Sequence, residues 1–108
     1  TTDLEQAKAF YGKLFDWKLE EMPMPGGAYT MIGVGEGTGG GMMQHPVPGG
    51  PSMWLPYVAV DDVHASTRKA GELGGKVVLE VREIPNVGWF SVIVDPTGAA
   101  LALFKPMM

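Results

Sequence analysis

The chain has 108 residues, of which 45% are hydrophobic and 19% charged, with a formal net charge of −4 and no cysteine. This composition suits one globular domain with a modest core and excludes the highly charged signature of disorder. Only eight Lys and Arg residues are spread along the chain, which argues against a nucleic-acid partner, and the lack of cysteine excludes disulfides and thiolate metal sites. Without a recognisable leader or an apolar run of the ~20 residues that span a bilayer, we expect a cytoplasmic protein with no membrane partner.

The first predicted element is a helix that begins after Asp3, whose carboxylate can accept from the free N–H groups of the first turn. Its apolar residues recur at helical spacing and predict a strongly apolar side that packs into a core, with Trp17 just beyond it: Leu4, Ala7, Phe10, Tyr11, Leu14 and Phe15. Three strands are predicted next, at roughly 17–21, 28–34 and 40–45.

Residues 35–40, Gly-Glu-Gly-Thr-Gly-Gly, match the G-x-G-x-x-G pattern of dinucleotide-binding loops. That pattern works only where a helix follows to receive the pyrophosphate on its N-terminus. Here a strand and then a Pro- and Gly-rich stretch follow, so we interpret the segment as a hairpin loop.

The second half of the chain begins with a predicted strand at 54–60 and a second helix capped by Asp62. The apolar stripe of this helix is the weaker of the two, and Gly74-Gly75 ends it. Strands are then predicted at roughly 76–81, 88–94 and 99–105, with a tight turn at Asp95-Pro96-Thr97-Gly98 between the last two.

The two halves repeat each other. Asp3, Leu4, Gly12 and Leu14 recur 59 residues later as Asp62, Val63, Gly71 and Leu73. We therefore predict an α+β fold of two tandem βαβββ units in one domain over residues 1–108, with unit one at 1–46, a linker at 47–53 and unit two at 54–106. The same offset places the first strand of unit one before Thr1.

Three stretches carry a resemblance to a known family: Asp3 to Trp17, the run Tyr-Val-Ala-Val-Asp-Asp-Val from Tyr57, and the closing hairpin Asp-Pro-Thr-Gly-Ala-Ala-Leu-Ala-Leu-Phe from Asp95. Together they resemble the vicinal oxygen chelate superfamily, which includes glyoxalase I, bleomycin-resistance proteins and extradiol dioxygenases. The resemblance covers nearly the whole chain. It implies a half-barrel-like mixed sheet around a cleft, with a divalent metal held between first and last strands.

The same resemblance identifies the positions where metal ligands would lie. In unit two these are Leu55 and Ala102, and in unit one Met42, with the remaining ligand before Thr1. Leu and Ala donate no electron pair, and a thioether is too soft for Mg²⁺ or Mn²⁺. The resemblance therefore implies a member without metal or other cofactor, the alternative being a divalent metal with ligands from elsewhere.

Strand alternation suggests which side chains face the cleft. The candidates form a mostly apolar wall with two polar groups, and we predict them to bind ligand: Tyr57, Gln44, Met42, Leu55, Phe104 and Ala102. The opposite parity, Val58, Val60, Leu101 and Leu103, should face the helices. An equally open alternative is that the wall residues fill a closed core.

The two histidines, His45 and His64, lie in different units and have no partner residues that would make a catalytic or metal-binding group. We therefore predict no catalytic residue and a metal-free domain that binds a small, partly apolar organic molecule, and we lean against an enzyme. The alternative is a metal-dependent lyase or dioxygenase that takes ligands from the missing strand or a partner chain. A homodimer is expected, because the incomplete first unit leaves a sheet edge unpaired.

Overall fold

A computed structural model describes residues 1–24, 27–45 and 48–107 and divides the chain into two compact units, Thr1–Met53 and Trp54–Met108. The first unit contains α1 (Leu4–Leu14), β1 (Lys18–Met24), β2 (Gly27–Gly33) and β3 (Gly40–Met42). The second contains β4 (Tyr57–Ala59), α2 (Val63–Glu72), β5 (Lys76–Ile84), β6 (Gly88–Val94) and β7 (Ala100–Pro106). The predicted α+β class and the tandem order of elements are confirmed, while Pro46 and Val47, at the predicted boundary of unit one and linker, lie outside the described residues.

Both helices begin where the sequence predicts. The carboxylate of Asp3 accepts from the N–H of Gln6 at 3.1 Å, and that of Asp62 accepts from the N–H of Ala65 at 3.0 Å. Each bond satisfies one of the N–H groups that a first helical turn leaves without a carbonyl partner. The equivalent caps, 59 residues apart, support the predicted repeat.

In the described part of the first unit, β1, β2 and β3 form an antiparallel sheet in that order. β1 runs three residues past its predicted end and contains Pro23, which a sheet tolerates because β1 is an edge strand. The glycine-rich segment 35–40 joins β2 to β3, with Gly35 and Gly37 at positive φ, so the interpretation as a hairpin loop is confirmed.

Thr1 extends the outer edge of this sheet. Its nitrogen donates to the carbonyl of Met43 at 2.9 Å, and its carbonyl accepts from the N–H of His45 at 2.7 Å. This is the bonding pattern of a parallel strand pair. The second unit has the same arrangement 59 residues later, where the N–H of Val60 donates to Phe104 beside the parallel pair of β4 and β7.

The second unit holds a mixed four-stranded sheet in the order β4-β7-β6-β5. β4 is shorter than the predicted strand 54–60, because Pro56 has no N–H to donate, although its carbonyl still accepts from Ala102 at 3.0 Å. Neither sheet is closed into a barrel by the strands that the structure describes.

The helix α2 covers one face of the second sheet. Val63 of α2 packs with Ile93 and Leu103 in a buried apolar cluster that Val60 and Leu101 adjoin. Beneath the same helix, the hydroxyl of Thr67 lies 2.7 Å from that of Ser91, and both residues are buried. The hydroxyl pair satisfies polar groups that would otherwise cost free energy in an apolar core. The predicted orientation of Val60, Leu101 and Leu103 agrees with this packing, whereas Val58 is exposed.

The helix α1 differs from its prediction, because its apolar side is not packed into a core. None of its residues is buried, and Phe10 and Leu14 are 58% and 56% exposed. The aromatic rings near its end stack on each other instead, with the ring centres of Phe15 and Trp17 4.7 Å apart. Helical periodicity identified the helix correctly, but α2, the weaker amphipath, is the helix that covers a core.

Neither described helix combines the length and the apolar character needed to cross a membrane.

Candidate functional site

The face of the second sheet that points away from α2 carries a group of aromatic side chains. β6 and β7 pair without interruption, so Phe90 lies across from Phe104 and Val92 across from Ala102. β4 adds Tyr57 beside Ala102 in parallel register. We call the five residues Tyr57, Phe90, Val92, Ala102 and Phe104 the aromatic face. They alternate with Ser91, Ile93 and Leu103, which lie under α2.

The three rings of the aromatic face contact one another. The ring of Tyr57 stacks at 6.1 Å from that of Phe90, with 29° between their planes, and meets the ring of Phe104 edge-on at 6.0 Å. Aromatic pairs in these geometries stabilise by about 0.5–1.5 kcal/mol beyond the burial of their surface. Phe90 therefore holds the ring of Tyr57 in place.

Access to this face is graded. Phe90 is 1% and Ala102 0% exposed, whereas Tyr57 is 39% exposed and Phe104 is half-buried. Phe90 and Ala102 form the floor, and Tyr57 and Phe104 are the rings that a molecule from solvent can reach. An apolar surface with a phenol hydroxyl at its rim is the usual make-up of a small-molecule site.

One residue of this face was missed by the sequence analysis. Arg82 in β5 lies directly across from Phe90, on the same side of the sheet. Simple alternation from Leu79, which pairs with Val92, would put Arg82 on the α2 side. A register shift between Leu79 and Arg82 inserts one residue and reverses the parity. The sequence carries no signal for this bulge.

Two predicted site residues belong to the first unit, where they have packing roles. Met42 pairs with Thr30, and Thr30 pairs with Glu21, whose carboxylate binds Lys8 of α1 at 2.9 Å. Because cross-strand partners share a face, Met42 lies on the side of the sheet that carries α1.

Gln44 is exposed and bonded to the start of α1. Its amide nitrogen donates to the carbonyl of Thr2 at 2.6 Å, and its amide oxygen accepts from the N–H of Leu4 at 3.3 Å. Leu55, the remaining candidate, is half-buried just before β4. The structure thus places Tyr57, Ala102 and Phe104 together, and ligand binding by the six candidates stays a prediction.

The first unit also has a shallow groove of about 300 Å³ beside α1, lined by Thr1, Thr2, Asp3, Gln6, Ala7, Phe10, Tyr11 and Ser52. Its polar groups largely bond to one another, since the hydroxyl of Ser52 accepts from the N–H of Thr2 at 3.0 Å and lies 3.1 Å from the Thr2 hydroxyl. Few groups there remain to recognise a ligand, so we favour the aromatic face as the candidate site.

The residues present do not fit the divalent metal that the family resemblance implies. Leu55, Ala102 and Met42 offer no hard donor at the ligand positions. Across the described ranges, no three His, Cys, Asp or Glu side chains come together as a metal site requires. The ring of His45 packs against Gly50 in the first unit, and His64 is exposed on α2.

Comparison with known proteins gives a consistent match. A model described as the glyoxalase/bleomycin resistance protein/dioxygenase superfamily matches residues 1–103. The protein named Putative glyoxylase CFP32 of Mycobacterium tuberculosis is 40% identical over 101 residues, which are 93% of this chain and 39% of that protein. Anthracycline biosynthesis protein DnrV of Streptomyces peucetius is 28% identical over 118 residues, covering 95% of this chain and 43% of that protein.

Among solved structures, TioX from Micromonospora sp. ML1 covers 100% of this chain and 91% of that one, with a TM-score of 0.43 and 17% identity. The chain spans well under half the length of both curated relatives, CFP32 and DnrV.

Proposed function

The chain belongs to the glyoxalase/bleomycin resistance protein/dioxygenase superfamily, and we propose that within this family it binds a small, partly apolar organic molecule without a metal ion. The observation that carries the proposal is the aromatic face, where a partly exposed Tyr57 and Phe104 lie over a buried floor at the strands to which the family resemblance assigns metal ligands. Ala102, at one of those positions, provides a flat apolar surface and no charge.

The physical case for binding is the removal of apolar surface from water. Burial contributes about 25 cal/mol for each Å² of apolar surface, and ring stacking on Tyr57 adds a directional contact. The phenol hydroxyl of Tyr57 can orient a polar group of the ligand. The name of DnrV, an anthracycline biosynthesis protein, agrees with a ligand of this general kind, since anthracyclines are organic molecules of mixed polarity.

The test compares two neighbouring residues of β4 that point to opposite faces. Tyr57 and Val58 are 39% and 43% exposed, so Tyr57→Ser and Val58→Ser remove similarly accessible side chains. With 2-naphthalenemethanol as a neutral probe, we expect calorimetric titration to show binding that Tyr57→Ser weakens about five-fold or more, from the loss of one stacked ring. Val58→Ser should bind like the wild type. Equal weakening in both variants, or no saturable binding to the wild type, would contradict the proposal.

A second candidate function is a metal-dependent glyoxalase-type lyase or dioxygenase, which the name of the 40% identical CFP32 favours. Its metal ligands would come from residues outside the described ranges or from a partner chain. The full-length protein, purified and then dialysed against Mn²⁺, Ni²⁺ and Zn²⁺ in turn, separates the two proposals by metal analysis. One bound metal per chain, with turnover of a glutathione hemithioacetal or a catechol, would replace the binding proposal with this one.

A further inference from the structure

A single cation lies in the row of residues that holds two of the three rings. Arg82 of β5, Phe90 of β6 and Phe104 of β7 are neighbours across the sheet, by direct pairing of Arg82 with Phe90 and of Phe90 with Phe104. Arg82 is half-buried. The guanidinium therefore originates beside an aromatic floor and not on an open, fully solvated surface.

The position of Arg82 depends on a local departure from regular strand geometry. The bulge between Leu79 and Arg82 leaves Val81 packed against the core under α2 and turns Arg82 to the aromatic face. Bulges commonly re-aim a side chain beside a functional site. Without the extra residue, the sheet would present Val81 to this face and Arg82 to the α2 core.

No carboxylate neutralises Arg82 among the described residues. The ion pairs there, Lys8 with Glu5 and Lys8 with Glu21, lie in the first unit. On β5 itself, Glu83 pairs with Trp89 on the α2 side and is exposed. A half-buried cation without a counter-ion favours a ligand that brings a negative charge.

The geometry points to a flat aromatic acid as the ligand: we propose that Arg82 pairs with the carboxylate of an aromatic molecule whose ring stacks against Tyr57 and Phe104, an inference that rests on the proposed function. Strands are about 4.8 Å apart, so the backbones of β5 and β7 are separated by about 10 Å. An aryl carboxylate with its ring centre some 5–10 Å from the anionic oxygens spans that distance. The planar fork of an arginine matches the two oxygens of a carboxylate.

Matched probes and matched variants test this. The acid 2-naphthoate and the neutral 2-naphthalenemethanol share one ring system and differ in charge, while cyclohexanecarboxylate keeps the charge and lacks the aromatic ring. Arg68, exposed on α2, is the control position, because Arg68→Gln removes the same charge far along the sequence from the aromatic face. Calorimetric titration of the 108-residue chain gives the dissociation constants, and a dispersed amide spectrum establishes that each variant is folded.

We expect the wild type to bind 2-naphthoate about ten-fold tighter than either other probe, the range of a charge-assisted hydrogen bond. Arg82→Gln should abolish the preference for the acid over the alcohol, Arg68→Gln should retain it, and Arg82→Lys should retain part of it, since a lysine keeps the charge without the fork. In the wild type the preference should shrink with added NaCl, a readout that needs no variant.

Equal affinity of the wild type for acid and alcohol, or a preference that survives in Arg82→Gln, would overturn the role of Arg82. In that outcome the alcohol still binds, and the proposed function stands. Binding of neither naphthalene probe would overturn both proposals together.

Discussion

The turn that closes the second sheet depends on one carboxylate. Asp95 accepts from the hydroxyl of Thr97 at 2.7 Å and from the N–H groups of Thr97 at 2.8 Å and Ala99 at 3.1 Å. These bonds favour the charged form, and the bond from the Thr97 hydroxyl is the main reason that the pKa of Asp95 lies below its ordinary value of 3.8. The sequence predicted the turn, and the structure adds the bonds that stabilise it.

A lowered pKa makes stability depend on pH in a defined direction. Ionised Asp95 stabilises the folded chain at pH values above 3.8, and this contribution is lost as the pH falls through the lowered pKa of the folded state. Asp95→Asn keeps an oxygen acceptor without charge, so we expect it to be less stable than the wild type at pH 7. The difference should narrow toward pH 3 in urea unfolding.

The exposed Asp16→Asn serves as the control for removing one negative charge. A stability difference between wild type and Asp95→Asn that stays constant from pH 7 to pH 3 would show that the charge of Asp95 has no part in the turn.

At the scale of elements, local signals in the sequence located the helices and most strands. Caps, the Gly-rich hairpin loop and the Asp-Pro-Thr-Gly turn act within a few residues, so they can be recognised without the tertiary structure. What surrounds an element is set by distant residues. Periodicity therefore predicted an apolar side for α1 but not that Phe10 and Leu14 would be exposed.

The same limit applies to the candidate site. Uninterrupted alternation in β6 and β7 let the sequence place Ala102 and Phe104 on one face with Tyr57. The bulge in β5 reversed the parity for Arg82, and the register of β3 put Met42 on the side of α1. Both depend on pairing with a neighbouring strand, which one strand's sequence does not encode.

The cap of α2 gives a prediction at this scale. Asp62→Ala removes the acceptor of the Ala65 N–H and should lower the free energy of unfolding by about 1 kcal/mol. The neighbouring Asp61→Ala removes an equal charge and no cap bond, and it should change stability much less. Urea unfolding at pH 7 compares the two, and a similar loss in both variants would assign the effect to charge and not to capping.

At the scale of the whole molecule, the sequence repeat is the feature that the structure reproduces most directly. The equivalent helix caps and the parallel edge bonds of Thr1 and Val60 recur at the spacing read from the sequence. The structure describes each unit by its own contacts. Its curated relatives CFP32 and DnrV are more than twice as long as the matched region, so their whole-protein activities enter here only as proposals.

We propose that two chains form a homodimer. The first sheet has an open edge, and exposed apolar side chains of α1, such as Phe10 at 58% and Leu14 at 56% exposure, can be covered by a second copy. Sedimentation equilibrium should give twice the mass of one chain. The double change Phe10→Ser, Leu14→Ser should shift the mass toward one chain, whereas Lys13→Ser on the same helix should not. A wild type that remains at the mass of one chain at all concentrations would contradict the dimer.

The central claim is that the aromatic face binds an organic molecule and needs no metal. The most direct measurement is a titration of the isotope-labelled chain with 2-naphthalenemethanol in excess EDTA, followed through the backbone amide resonances. We predict saturable shifts concentrated at Tyr57, Phe90, Ala102 and Phe104. Shifts absent from these residues, or binding that appears only after a divalent metal replaces the EDTA, would contradict the account.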